Sequence, residues 1–439
     1  MFPLKCAVQT YAWGKPASEA LVAALKNAED SDYTVDLEAY YAELWMGTHP
    51  NGPSSIRRDG GFDAVDLKDW ITKHPDSLGD LAEEGDIPFM FKVLSINKAL
   101  SIQSHPDKDL AKMLHAAYPD RYKDPNHKPE IAIALSENFE AMCGFRPIED
   151  ILANIRKFPE LNALLSTQAL ELLEQCERFP QAQKLVHKIA LRELFTSYLH
   201  AQEELAVEQL DRLVARLKEE LAGKDLSDPE ALSDDTLLKN LIVRLSGQFP
   251  GDRGMMAPIF FNYLRLRRGE SIFLPANEPH AYLSGEILEC MASSDNVVRA
   301  GLTPKFIDRD TLCAMLTYRA RLPKIRPGKV KAGDPWRQRY YTPVEEFEVA
   351  LVDVPAGERY TLEAIPSPTF LLVLEDEEGE EGAGAHGRVP LRFGGTFFIP
   401  AGRAVVLAAA SGEGGGALRV TLAHANLRLG ERRASAAGA

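Results

Sequence analysis

Cysteine is scarce. The 439 residues hold five, Cys6, Cys143, Cys176, Cys290 and Cys313, scattered, odd in number and without a C-x-x-C pair. This excludes a disulfide framework and a thiolate zinc site, and it fits a reducing compartment. Long apolar runs are missing too. No stretch of about 18 apolar residues occurs, so no membrane span is expected. The opening MFPLKCAVQTYAWG lacks the apolar core of a signal peptide, and a cytoplasmic location is the expectation. Positive charge is in deficit: 50 Lys and Arg stand against 64 Asp and Glu, a formal net charge of −14. A broad nucleic-acid footprint needs a basic face and is not expected. One phosphorylated small molecule needs only a few local Lys or Arg and stays open. No heptad or exposed apolar segment marks a subunit interface, so a monomer is expected.

What is present is the composition of a globular chain, 45% hydrophobic and 26% charged. It is long enough for two or three domains and for cores that need no disulfide staples. Residues 1–150 mix strands, turns and helices; FMFKVLSINKALSIQSH predicts two strands broken near Asn97. Residues 151–250 predict an all-helical block. There Leu210, Leu213, Val214, Leu217 and Leu221 fall on one helical face and Gly223 follows as a stop. Strands return from about residue 260, and after about residue 325 the chain reads as strand and turn alone, which predicts a sandwich or small barrel. The acidic, Gly-rich stretch 375–387 reads as a solvated loop and the tail 432–439 as disordered.

One pattern occurs twice. Gly269 is followed by Pro275, Asn277 and His280, and Gly394 by Pro400, Gly402 and Val405, at identical spacing. This frame resembles the second sequence motif of cupins, small double-sheet barrels in which its last position is a metal-binding His. The first copy keeps the His and the second does not, which predicts two related barrels, one with a metal and one without.

Gln103 and His105 stand two apart in SIQSH, and alternate positions of a strand share a face. Glu130 opens the apolar run EIAIAL, and His280 follows the Pro turn of GESIFLPANEPHAYL, which reads as strand, turn and strand. An amide oxygen, two imidazoles and a carboxylate suit Zn²⁺ or a similar divalent ion, one per chain, in an open catalytic type of site.

Six stretches, Tyr11–Gly14, Ala42–Pro50, Pro88–Leu94, Ser101–Lys108, Asp124–Glu130 and Cys290–Lys305, resemble the type I mannose-6-phosphate isomerases closely and in family order. Beyond about residue 306 the resemblance is mainly architectural. It implies a mainly β fold of two cupin-like (jelly-roll) barrels with an all-α insertion. The catalytic cupin would be discontinuous, residues 1–150 and 251–325, with the helical domain at 151–250 and a metal-free cupin at 326–439. It implies Zn²⁺ on Gln103, His105, Glu130 and His280, and a catalytic arginine at Arg299. The implied reaction is aldose–ketose isomerisation of mannose 6-phosphate and fructose 6-phosphate through an enediol(ate), which supplies mannose for GDP-mannose and glycan synthesis.

That chemistry needs a base, and Glu289, Asp295, Glu43, His49 and a metal-bound water all stay open. Lys92, Lys108 and Lys128 are candidates for the phosphate, with Ser101 as a hydroxyl donor. Trp13 and Tyr282 are candidates for the sugar pocket. Two other readings stand beside the isomerase: a metal-stabilised sugar-binding cupin without turnover, and an iron-dependent cupin oxygenase, against which Gln103 in place of a His counts.

Overall fold

The computed structural model describes residues 1–57, 64–179, 184–376, 383–384, 387–410 and 416–427. Most of the acidic stretch 375–387 and all of the tail 432–439 lie outside the described residues.

The chain builds two large sheets and a helical block. The first sheet runs, in spatial order, Arg326–Pro327, Glu270–Leu274, Glu130–Ala134, His280–Ala292, Phe89–Ile96, Glu43–Met46 and Ala7–Gln9. Its axis is the 13-residue strand His280–Ala292. The far half of that strand pairs with 130–134 and 89–96, its near half with Phe139–Phe145 and with Ile102–Ser104. The change of partner falls at Gly285, φ 120°, where a Cβ would meet the Asn138 carbonyl at 3.0 Å. Only glycine takes that backbone without strain. One strand thereby serves two sheet surfaces, and His280 sits at its start.

The second sheet runs Lys329–Lys331, Asp334–Tyr340, Glu348–Val354, Leu418–His424, Thr369–Asp376, Thr396–Ile399, Phe2–Lys5, Ser55–Ile56 and Val65–Asp66. Phe2 lies opposite Phe398 and Leu4 opposite Ile56, so the start of the chain is woven into the C-terminal sheet. The two sheets share an apolar interior: Phe89, Phe91, Ile131 and Ile133 from one meet Phe347, Phe370, Leu372 and Phe398 from the other. Mainly β structure with a helical insertion is what the molecule has. No closed barrel is found among the described residues.

The helices Ile148–Lys157, Thr167–Arg178, Lys184–His200, Glu203–Leu221 and Asp234–Gln248 form the insertion. Ser166 caps one through Ala169 N–H and Ser233 another through Thr236 N–H, satisfying donors a helix start leaves free. Helix 203–221 buries Leu210, Leu213, Leu217 and Leu221 as the periodicity predicts, with Val214 half-buried beside them, and Gly223 follows at φ 75°. The helical core is continuous with Met142, Phe145, Phe261, Ala281 and Val298 of the first sheet, so the insertion braces the strands that carry the site.

The repeated frame has a backbone counterpart. Gly269 and Gly394 have φ of 81° and 80°, and Asn277 and Gly402 have φ of 62° and 72°. The same two left-handed turns therefore bound Glu270–Leu274 and Thr396–Ile399, and strands follow at His280 and Val405. All five cysteines are buried and free.

Candidate functional site

Three predicted metal ligands converge. One ligand atom each from His105, Glu130 and His280 lie within 4.8 Å of one another, all buried. His105 follows strand 102–104, Glu130 opens 130–134 and His280 opens 280–292. His105 Nε2 is 3.3 Å from Glu130 Oε1, and His280 Nε2 is 3.2 Å from Glu130 Oε2. Backbone register sets Gln103 opposite both His280 and Arg299, at the rim of the same cluster.

The outer nitrogens fix the tautomers. His105 Nδ1 donates to the Asn296 carbonyl at 2.7 Å and His280 Nδ1 to the Glu278 carbonyl at 3.1 Å. Both Nε2 lone pairs are thereby directed inward, as in metal-bound imidazoles oriented from behind. His105 Nε2, His280 Nε2 and Glu130 Oε2 are buried without a hydrogen-bond partner. Orphaned polar atoms of this kind are costly unless something satisfies them. Neutral nitrogen plus carboxylate oxygen is a donor set for Zn²⁺, so the residues present fit the ion.

Charge at the site agrees. Burial pushes His105 down to about 4, which keeps the ring neutral. Burial alone would raise Glu130, but Lys128 and His105 outweigh it and hold the carboxyl well below the usual range; Lys128 Nζ lies 3.1 Å from Glu130 Oε1.

Beside the cluster, Glu289 lies opposite Lys92 on one neighbouring strand and Ala132 on the other. Alternation puts Glu130, Glu289, Lys92 and Trp45 on one face. Lys92 Nζ is 3.4 Å from Glu289 Oε2, 3.3 Å from Glu43 Oε2 and 4.9 Å above the Trp45 ring. The Trp45 indole N–H donates to Glu43. Burial opposes the Lys92 charge, but Glu43, Glu289 and Glu130 outweigh it and raise its pKa. Burial and the nearby Glu130 charge raise Glu289.

Asp295 is more open. Its Oδ1 lies 3.2 Å from His49 Nε2, and the hydrogen bond to His49 holds its carboxyl below the ordinary range. Arg299 is half-buried, and burial lowers its pKa. Among the described residues no carboxylate lies within ion-pair distance of it. Ser101 is half-buried just before strand 102–104. Trp13 and Tyr282 meet in one apolar cluster with Phe139 and Leu274, and the buried Tyr282 ring lies 6.3 Å from that of His280. Lys108 is drawn off elsewhere: its Nζ pairs with Glu346 at 2.9 Å.

Two supporting residues escaped the sequence reading. Asp124 ties down the loop after the long strand by accepting from Ser294 Oγ, Asp295 N–H and Asn296 Nδ2. Asn296 then presents the carbonyl that orients His105. The signal was available, since Asp124 and Asn296 lie in the stretches that resemble the family, but polar loop residues reveal no partners before folding. A cavity of about 930 Å³ lies elsewhere, lined by residues such as Lys15, Asn27 and Gln338.

Comparison with known proteins places this arrangement. The catalytic domain of phosphomannose isomerase type I matches residues 1–148, and that family's helical insertion domain matches 164–261. Mannose-6-phosphate isomerase 1 of Arabidopsis thaliana is 42% identical over 413 residues, 93% of this chain and 91% of that protein. The chain belongs to the type I phosphomannose isomerase family. The human mannose-6-phosphate isomerase is 41% identical over 93% of this chain and 95% of that protein. Among solved structures, a mutant of the Salmonella typhimurium phosphomannose isomerase superposes with a TM-score of 0.78 at 29% identity, over 97% of this chain and 99% of that one. A mannose 6-phosphate isomerase bound with zinc and yttrium does so with 0.76 at 30%, over the same shares. In this chain the buried His105, Glu130 and His280 form a cluster that could hold such a metal ion.

Proposed function

We propose that this protein interconverts mannose 6-phosphate and fructose 6-phosphate. The observation that carries the reading is the convergence of three orphaned, buried ligand atoms of His105, Glu130 and His280 in a chain of this family. Gln103 completes the metal set from the adjoining strand. When bound, Zn²⁺ supplies Lewis-acid stabilisation for negative charge developing on sugar oxygen, worth several kcal/mol.

The chain's own residues do the rest. Isomerisation takes a proton from C2 of the aldose and returns one to C1, passing through an enediolate. Glu289 is the best-suited carrier: it is buried, it shares a face with Glu130, and its environment favours holding a proton. Asp295 is paired with His49 and half open to solvent, which fits a role in positioning that loop. Lys92, clamped between Glu43 and Glu289, sets the charge of the base. Arg299, with no carboxylate within ion-pair distance among the described residues, is free to neutralise the enediolate. Lys128 and Ser101 bind the substrate phosphate and hydroxyls at the rim, while Trp13 and Tyr282 wall the sugar pocket.

The chain is organised as a catalytic cupin of residues 1–150 and 251–325, a helical domain at 151–250 and a C-terminal cupin-like unit at 326–439. The matched φ values of the repeated frame support two related barrels. The enzyme works as a cytoplasmic monomer on a small sugar phosphate, away from nucleic acid. The described helices include none long and apolar enough to cross a membrane. A coupled assay of zinc-loaded protein on mannose 6-phosphate tests the activity; full zinc occupancy with no fructose 6-phosphate formed would leave a sugar-binding protein instead.

A further inference from the structure

The stretch 317–331, TYRARLPKIRPGKVK, carries six Lys and Arg and no acid, in a chain of net charge −14. It joins the two sheets: Arg326 pairs with Ser271 of the first and Lys329 with Arg339 of the second. Along it lies a cleft of about 480 Å³, lined by Arg319, Arg321, Lys324, Arg326 and Lys329. Arg339, which also lines the cleft, pairs with Asp334 at 3.4 Å, but none of these five has a carboxylate within ion-pair distance among the described residues. The cleft's one carboxylate, Glu278, is 6% exposed and already takes Thr317 Oγ1 at 2.5 Å. Its backbone carbonyl is the group that orients His280.

The walls are not those of a merely solvated charge patch. Phe273 and Tyr340 form the floor, and Leu322 and Tyr341, 67% and 42% exposed, stand at the edge. The volume falls within the range of small-ligand pockets, roughly 300–1,000 Å³. Five like charges around one concavity repel one another, and several anionic oxygens in the cleft would relieve that repulsion; guanidinium groups match phosphate in bidentate geometry. None of the residues assigned to the metal or the sugar lines this cleft.

We propose that this cleft is a second small-molecule site, for a metabolite carrying two or more phosphate charges. The test is calorimetric titration of the zinc-loaded enzyme at about 0.15 M salt with three probes: inorganic pyrophosphate, ADP and fructose 1,6-bisphosphate. They separate phosphate recognition alone from recognition of a base or a sugar. The expected result is saturable binding of at least one probe. It weakens about tenfold or more in R321Q/K324Q/R326Q, where exposed side chains leave the fold intact, and it persists in Arg299→Ala. The KM for mannose 6-phosphate in the triple variant stays near that of the parent. Failure of all three probes, undiminished binding in the triple variant, or loss of binding in Arg299→Ala would each overturn the proposal.

Discussion

His280 and Arg299 face one another across Gln103 in the strand register, yet they carry different predictions. His280→Ala removes a buried Nε2 that has no hydrogen-bond partner among the described residues, on an imidazole oriented from behind by Glu278. It should lose zinc and nearly all activity, read by metal analysis alongside the coupled assay. Metal and rate retained together would put His280 outside the coordination sphere. Arg299→Ala leaves the three converging atoms untouched. It should keep zinc while kcat falls by about a hundredfold or more; a rise in KM alone would make Arg299 a binding residue. At this scale much was readable beforehand. His105, Glu130 and His280 could be named because a metal demands particular donor types. The pairing of Lys92 with Glu43 and Glu289, and the diversion of Lys108 to Glu346, could not be read, because any lysine in a sequence has many carboxylates to choose from.

Among the elements, helix 203–221 shows how a period becomes a contact. Its leucines were legible at 3.6-residue spacing, and Leu217 is fully buried in the core that reaches Phe261 and Ala281 beside the metal ligands. Leu217→Ala should cost about 3 kcal/mol through lost burial and the cavity left behind. A drop in the denaturation midpoint with near-normal KM would bear that out, whereas unchanged stability would show that the helix does not brace the sheet. The long strand 280–292 was harder. GESIFLPANEPHAYL predicts strand, turn and strand, but the change of partners at Gly285 depends on a backbone approach to Asn138 that no local pattern announces.

Across the whole molecule, Glu346 from the C-terminal part reaches His127 Nε2 at 2.6 Å and Lys108 Nζ at 2.9 Å in the N-terminal part. Burial alone would raise its pKa, but these partners outweigh burial and bring it from 4.5 down to about 2. A group depressed on folding stabilises above its unfolded value and loses that contribution as pH falls through the folded one. The advantage of the parent over Glu346→Gln in urea unfolding should therefore be full above about pH 5 and shrink towards about pH 2. A pH-independent difference would dismiss this bridge. Composition and periodicity by themselves marked the strand-rich parts and the helical insertion, since each rests on residue type or on short-range order along the chain, while the resemblance of six stretches to a known family implied the donor set. Only the tertiary structure decided that Phe2–Lys5 belongs to the far sheet, that Asp124 and Asn296 aim His105, and that five basic side chains gather round one cleft. Those outcomes depend on which distant segments pack together, and that is settled by burial and register in three dimensions.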